Sequence, residues 1–139
     1  MTPGKQAAIG SDAGPHRRVL VVDDDDQVRR YLASLLRGSG YVVDEARNGT
    51  EAVGRFQTNP PACVLIDLQM PGMNGIDAII AMNPRRSGTP VIAMSGIPFE
   101  RESEPRQLAK VLGADRFFPK PVDGGSLLAA IRELTDGPG

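Results

Sequence analysis

The chain has 139 residues, 16 of them Lys or Arg and 17 Asp or Glu, for a formal net charge of −1, with a single cysteine. That length suits one compact domain with a real core and leaves no room, on this reading, for a second catalytic domain; the balanced charge gives no global pull toward nucleic acid or an anionic membrane surface. Cys63, between Ala62 and Val64 in an apolar run, excludes an internal disulfide and reads as a small core residue in a reducing compartment. No apolar stretch nears the roughly 18 residues of a bilayer span and the N-terminus lacks an apolar signal region, so the expected location is cytoplasmic.

Residues 1–16 carry Gly, Pro, Ala and Ser without apolar periodicity and read as a flexible tail, as do residues 136–139, leaving 17–135 as the domain. The first strand runs from Arg18 to Val22. Val28, Leu32, Leu35 and Leu36 then recur at helical spacing and stop before Gly38 and Gly40. Val42 to Ala46 is a more polar strand, as an edge position allows, followed by a helix from Thr50 to Gln57 with Ala52, Val53 and Phe56 inward. Cys63 to Ile66 is the next strand. The helix Gly75 to Met82 presents Ile76, Ile79 and Ile80 as its apolar face and ends at Asn83-Pro84. Pro90 to Met94 is the fourth strand; after it Pro98 and Pro105 interrupt the pattern, predicting a long loop and a short helix from about Pro105 to Leu112. Arg116 to Phe118 is the fifth strand, and Leu127, Leu128, Ile131 and Leu134 mark the last helix. Five alternations of strand and helix predict βα units, an α/β fold with a mostly parallel sheet and no space for an appended DNA-binding module.

Right-handed crossovers bring the carboxyl ends of parallel strands to one edge, so Asp23, Asp24, Asp67, Ser95 and Lys120 should converge there. Singly, each has an ordinary explanation: Asp23 to Asp26 as helix-start acids, Asp67 and Ser95 as turn residues, Lys120 as a solvated lysine. Converged, three carboxylates raise one another's pKa unless a cation compensates, and a hard divalent ion such as Mg²⁺ is the economical one. A carboxylate, a metal and two donors around an open position suit a nucleophilic aspartate that accepts a phosphoryl group.

The segments Val19-Leu20-Val21-Val22-Asp23-Asp24, Val64-Leu65-Ile66-Asp67-Leu68-Gln69-Met70-Pro71-Gly72-Met73-Asn74-Gly75, Val91-Ile92-Ala93-Met94-Ser95-Gly96 and Phe117-Phe118-Pro119-Lys120-Pro121 resemble the receiver domain of two-component response regulators, over about Arg17 to Thr135. The fold this resemblance implies is a doubly wound five-stranded parallel sheet of flavodoxin-like order 2-1-3-4-5 with helices on both faces. It further implies that Asp67 accepts a phosphoryl group from a histidine kinase. Asp24, Asp67 and the Gln69 carbonyl would bind Mg²⁺, with Asp23 acting through water. Ser95 would be the switch hydroxyl, Lys120 and the Gly96 amide would contact the phosphoryl group, and the Lys120-Pro121 bond would be cis. The switch aromatic is Phe117, which lacks the hydroxyl of the family's frequent tyrosine, so its rotation would act through packing alone.

The leading expectation is a stand-alone phosphorylation-controlled switch, not an enzyme in its own right, partnered by a sensor histidine kinase and by a downstream protein or a histidine phosphotransfer protein in a phosphorelay. Two other readings compete. Asp24-x-Asp26-x-Val28 superficially fits the nucleophile motif of haloacid-dehalogenase-like phosphatases, but no segment remains for a cap domain. A degenerate receiver that only mediates contacts is weakened because every site position is filled. No Gly-rich nucleotide-binding motif occurs.

Overall fold

The computed structural model describes residues 17–96, 107, 109–110 and 113–136. Strands β1 (Arg18–Val22), β2 (Val42–Ala46), β3 (Cys63–Asp67), β4 (Val91–Ser95) and β5 (Ala114–Pro119) form one sheet of order β2-β1-β3-β4-β5 in which every pairing is parallel. The helices are α1 (Asp26–Gly38), α2 (Gly49–Thr58), α3 (Gly75–Met82), the single turn α4 (Pro84–Ser87) and α5 (Gly124–Asp136). The predicted strand order is therefore found, and β2 is an edge strand. Helix α5 runs one residue into the segment read as a C-terminal tail. The sequence expectations at Pro98 and Pro105 fall outside the described residues; Gln107, Ala109 and Lys110, within the predicted 105–112 helix, are helical.

Two-residue periodicity along each strand splits the core in two. Leu20, Val22, Val64, Ile66 and Ala93 pack beneath Ala52 and Phe56 of α2 and Ala78, Ile79 and Met82 of α3. Val19, Val21, Cys63, Leu65, Ile92 and Met94 face Leu32, Ala33 and Leu36 of α1 and Leu127, Ala130 and Ile131 of α5. The central strands β3 and β4 are buried along their whole lengths, because neighbours flank them and helices cover both faces. Burial pushes the Cys63 thiol up to about 12, which makes it the inert core residue the sequence suggested.

Local signals set the helix ends. The Asp25 carboxylate accepts the Gln27 and Val28 amides at the start of α1, Asn48 accepts the Glu51 amide at the start of α2, and Asn74 accepts the Asp77 amide at the start of α3. Beyond α1, Gly40 takes φ of +95°, a left-handed conformation that suits glycine, and the Tyr41 amide turns back to the Leu36 carbonyl.

One expectation is overturned. Ile80 is 54% exposed; α3 instead buries Gly75, Ala78, Ile79 and Met82, with Ile76 partly buried. The helix approaches through its small residues, so its buried stripe is rotated away from Ile80. No helix among the described residues is long and apolar enough to cross a membrane.

Candidate functional site

The site forms at the carboxyl ends of β1, β3, β4 and β5. In the order 2-1-3-4, the connection from β1 runs outward to β2 and that from β3 runs the opposite way to β4, so the crevice between the ends of β1 and β3 is the topological switch point of this sheet. Asp23 and Asp24 follow β1, Asp67 ends β3, Ser95 ends β4 and Lys120 follows β5. Carboxylate oxygens of Asp23, Asp24 and Asp67 lie within 4.8 Å of one another. Asp23 and Asp67 are buried and Asp24 is exposed, which gives the cluster a wet side and a dry side.

Asp23 is held through its backbone and one carboxylate oxygen. Its amide donates to the Ala46 carbonyl of β2 at 3.1 Å, and its Oδ1 accepts the Asp25 amide at 2.9 Å. Its Oδ2 lies 2.8 Å from Lys120 Nζ, an ion-pair distance, yet accepts no hydrogen bond of good geometry. A fully buried carboxylate oxygen left in that condition is a ready ligand for a hard cation. Charge agrees: three carboxylates against one ammonium leave two negative charges for a divalent ion to balance.

Asp67 is 3% exposed. Its Oδ1 accepts the Gln69 amide and its Oδ2 accepts Lys120 Nζ, both at 3.0 Å. Burial raises its carboxyl above the ordinary 3.8; the Gln69 amide and Lys120 oppose that shift, and the Asp23 charge adds to it. Burial pulls the Lys120 ammonium down, but contacts with Asp23 and Asp67 outweigh it and raise it overall, so this lysine stays charged. Lys120 is anchored by its own amide, which donates to the Ser95 carbonyl at 2.8 Å, and the Lys120-Pro121 bond is cis, as the resemblance implied.

The Gln69 side chain makes contacts that reasoning from sequence did not foresee. Its Oε1 accepts Ser95 Oγ at 2.8 Å and the Gly96 amide at 3.2 Å, so one amide oxygen gathers both donors expected to face a phosphoryl group. Phe117 is partly buried against the core cluster shared by α2 and α3. Gly75 is required where α3 begins: a Cβ there would meet the Asp67 carbonyl and lie 2.7 Å from Leu68 Cα. Arg29 was missed altogether. It reads as a polar helix position, yet it is 5% exposed and its Nη1 donates to the Asp23 carbonyl at 3.0 Å. The available signal was its i,i+3 spacing from Asp26.

The family of the response regulator receiver domain matches residues 19–132. The chain is 33% identical over 129 residues to the acid tolerance regulatory protein ActR of Sinorhizobium medicae (strain WSM419), covering 93% of this chain and 65% of that protein. It is 34% identical over 118 residues to the response regulator MprA of Mycobacterium sp. (strain KMS), covering 84% and 50%. It thus spans about half to two thirds of the length of these curated relatives. Among solved structures, a CheY-like receiver domain protein from Methanospirillum hungatei JF-1 superposes with a TM-score of 0.80 at 28% identity, covering 86% of this chain and 94% of the other. The response regulator domain of Thermotoga maritima CheB gives a TM-score of 0.75 at 30% identity, covering 86% and 96%. With the predicted strand order, the acidic crevice at the switch point and a family match over nearly the whole described fold, this chain belongs to the response regulator receiver domains of two-component systems.

Proposed function

We propose that the protein is a phosphorylation-controlled switch in which Asp67 takes a phosphoryl group from the phosphohistidine of a sensor histidine kinase, changing the surface it offers to a downstream partner. The observation that carries this reading is the setting of Asp67. It is a buried carboxylate at the end of the central strand, with an ammonium 3.0 Å from one oxygen and two further carboxylates beside it.

In the reaction a carboxylate oxygen of Asp67 forms a bond to phosphorus as the phosphorus–nitrogen bond of the donor breaks, and the released imidazole nitrogen takes up a proton from solvent. Lys120, 3.0 Å from Asp67 Oδ2, opposes the upward pull of burial on the Asp67 carboxyl and stands ready against the incoming oxygens. Asp23, Asp24 and Asp67, with the Gln69 carbonyl, would hold Mg²⁺, which supplies charge neutralisation for the transferring group. Ser95 Oγ and the Gly96 amide then exchange the Gln69 side chain for phosphoryl oxygens. The new group adds roughly −1.5 to −2 charges at the crevice, and Phe117 moves into the space that Ser95 leaves.

Incubation with acetyl phosphate and Mg²⁺, read by intact mass, tests the assignment. The wild-type chain should gain one phosphoryl group; Asp67→Asn should gain none, and excess chelator should nearly stop the reaction. Normal labelling of Asp67→Asn together with loss in Asp24→Asn would instead favour the phosphatase-like reading.

A further inference from the structure

We propose that Arg29 is a positioning residue for the metal-binding loop, acting through the Asp23 carbonyl; this rests on the Mg²⁺ site of the proposed function. Its guanidinium contacts three separate pieces of chain. Nη1 donates to the Asp23 carbonyl at 3.0 Å, Nη2 lies 2.7 Å from Asp26 Oδ1, and Nε donates to Glu45 Oε1 of β2 at 3.1 Å. The carbonyl it holds belongs to the residue whose carboxylate is buried in the cluster, at the point where β1 turns into α1. The Asp23 amide is already fixed to Ala46 of β2. Arg29 closes the other side: through Glu45 it joins that carbonyl to the same strand, and Glu45 is itself held by Arg37 Nη1 at 3.3 Å.

The charge of Arg29 is answered outside the crevice, by Asp26 and Glu45, so its effect on the cluster is one of geometry and not neutralisation. Only a planar, five-donor group reaches three partners in different directions. A lysine at position 29 keeps the charge but presents a compact ammonium that cannot reproduce the fork. Partners that orient metal ligands typically account for about 10- to 100-fold in metal affinity. Asp23 and Asp24 flank the peptide bond that Arg29 grips, so a loosened carbonyl lets both carboxylates drift from Asp67.

Two measurements on the full chain test this. Mg²⁺ titrations followed by amide chemical shifts should give a dissociation constant about tenfold weaker for Arg29→Lys than for wild type, and several-fold weaker for Glu45→Gln, which replaces the charge-assisted tether by a weaker neutral one but keeps the carbonyl contact. In metal-free buffer, hydrogen exchange of the Asp25 amide, which is bonded to Asp23 Oδ1, should speed up in both variants relative to core amides. Phosphorylation by acetyl phosphate should then need more Mg²⁺ for half-maximal rate while the rate at saturating Mg²⁺ is kept. A lower melting temperature with unchanged Mg²⁺ affinity and unchanged Asp25 exchange overturns the proposal and leaves Arg29 a purely structural residue. Should Arg29→Lys not fold, Glu45→Gln decides, and wild-type affinity in that variant overturns the proposal. A wild-type chain that binds no Mg²⁺ overturns the proposed function as well, an outcome separable from a wild-type-like Arg29→Lys.

Discussion

Strand β3 is buried at all five residues of Cys63–Asp67, whereas β5 is buried at Ala114, exposed at Asp115, Arg116 and Pro119, and partly buried at Phe117 and Phe118. The first lies between β1 and β4; the second has β4 alone as a neighbour, and their register slips between Val91 and Ile92. Both strands deliver a residue to the crevice, Asp67 from β3 and Lys120 from just beyond β5, so the site joins a fully buried central strand to a half-exposed edge strand. A doubly covered central strand cannot move without disturbing both halves of the core, while an edge strand can shift against solvent. On the proposed function, the acceptor is fixed by packing and the responding elements, Phe117 and the end of β4, lie toward the side that can yield.

The largest effect that sharpens this contrast is on stability. Leu65→Ala in β3 should cost about 2–5 kcal/mol by urea unfolding, since Leu65 is fully buried beneath α1 and α5. Arg116→Ala in β5 breaks an exposed 3.0 Å pair with Glu133 and an exposed 3.2 Å hydrogen bond to the adjacent Asp115 carbonyl, and should cost less than about 1 kcal/mol. Equal losses would erase the distinction between the two strands.

A second test addresses the tension stored at the end of β3. Burial, with the Asp23 charge adding to it, raises the Asp67 carboxyl above 3.8, so the folded protein holds that proton more firmly than the unfolded chain does. Its ionisation therefore costs stability that appears as pH rises from about 3.8 through the raised folded value, and persists above it. Asp67→Asn cannot ionise, so in metal-free buffer at pH 7 it should melt above wild type. The gap should close as pH falls toward 4 and shrink when Mg²⁺ is added. An Asn variant less stable than wild type at pH 7 would mean that the contact with Lys120 outweighs burial.

The smallest expected effect lies where the fixed and yielding sides meet. Gln69 Oε1 occupies Ser95 Oγ and the Gly96 amide, and on the proposed function those two hydrogen bonds are given up when phosphoryl oxygens take their place. Gln69→Ala should tighten binding of the phosphoryl mimic beryllofluoride about 2- to 10-fold, the worth of roughly one net hydrogen bond of 0.5–1.5 kcal/mol. Unchanged or weaker affinity would show that the amide does not compete for these donors.

The sequence by itself determined the strands, their alternation with helices, and four motifs that each close a strand. These are local: apolar runs, helical spacing, acidic residues at a helix start and a Lys-Pro turn need no knowledge of distant chain, and topology then requires their ends to meet. The convergence of Asp23, Asp24 and Asp67 was foreseen on that basis, and the cis Lys120-Pro121 bond was implied by the resemblance to receiver domains. Tertiary structure decided what depends on partners far away. Ile80 keeps helical spacing with Ile76, but the stripe that faces the sheet is chosen by how closely Gly75 and Ala78 let α3 approach. Gln69 finds Ser95 across 26 residues, and Arg29 is buried where the Asp23 carbonyl and Glu45 of β2 meet α1. A polar side chain in sequence carries no mark of whether it meets water or a partner; burial, set by the packing of neighbouring elements, makes that choice.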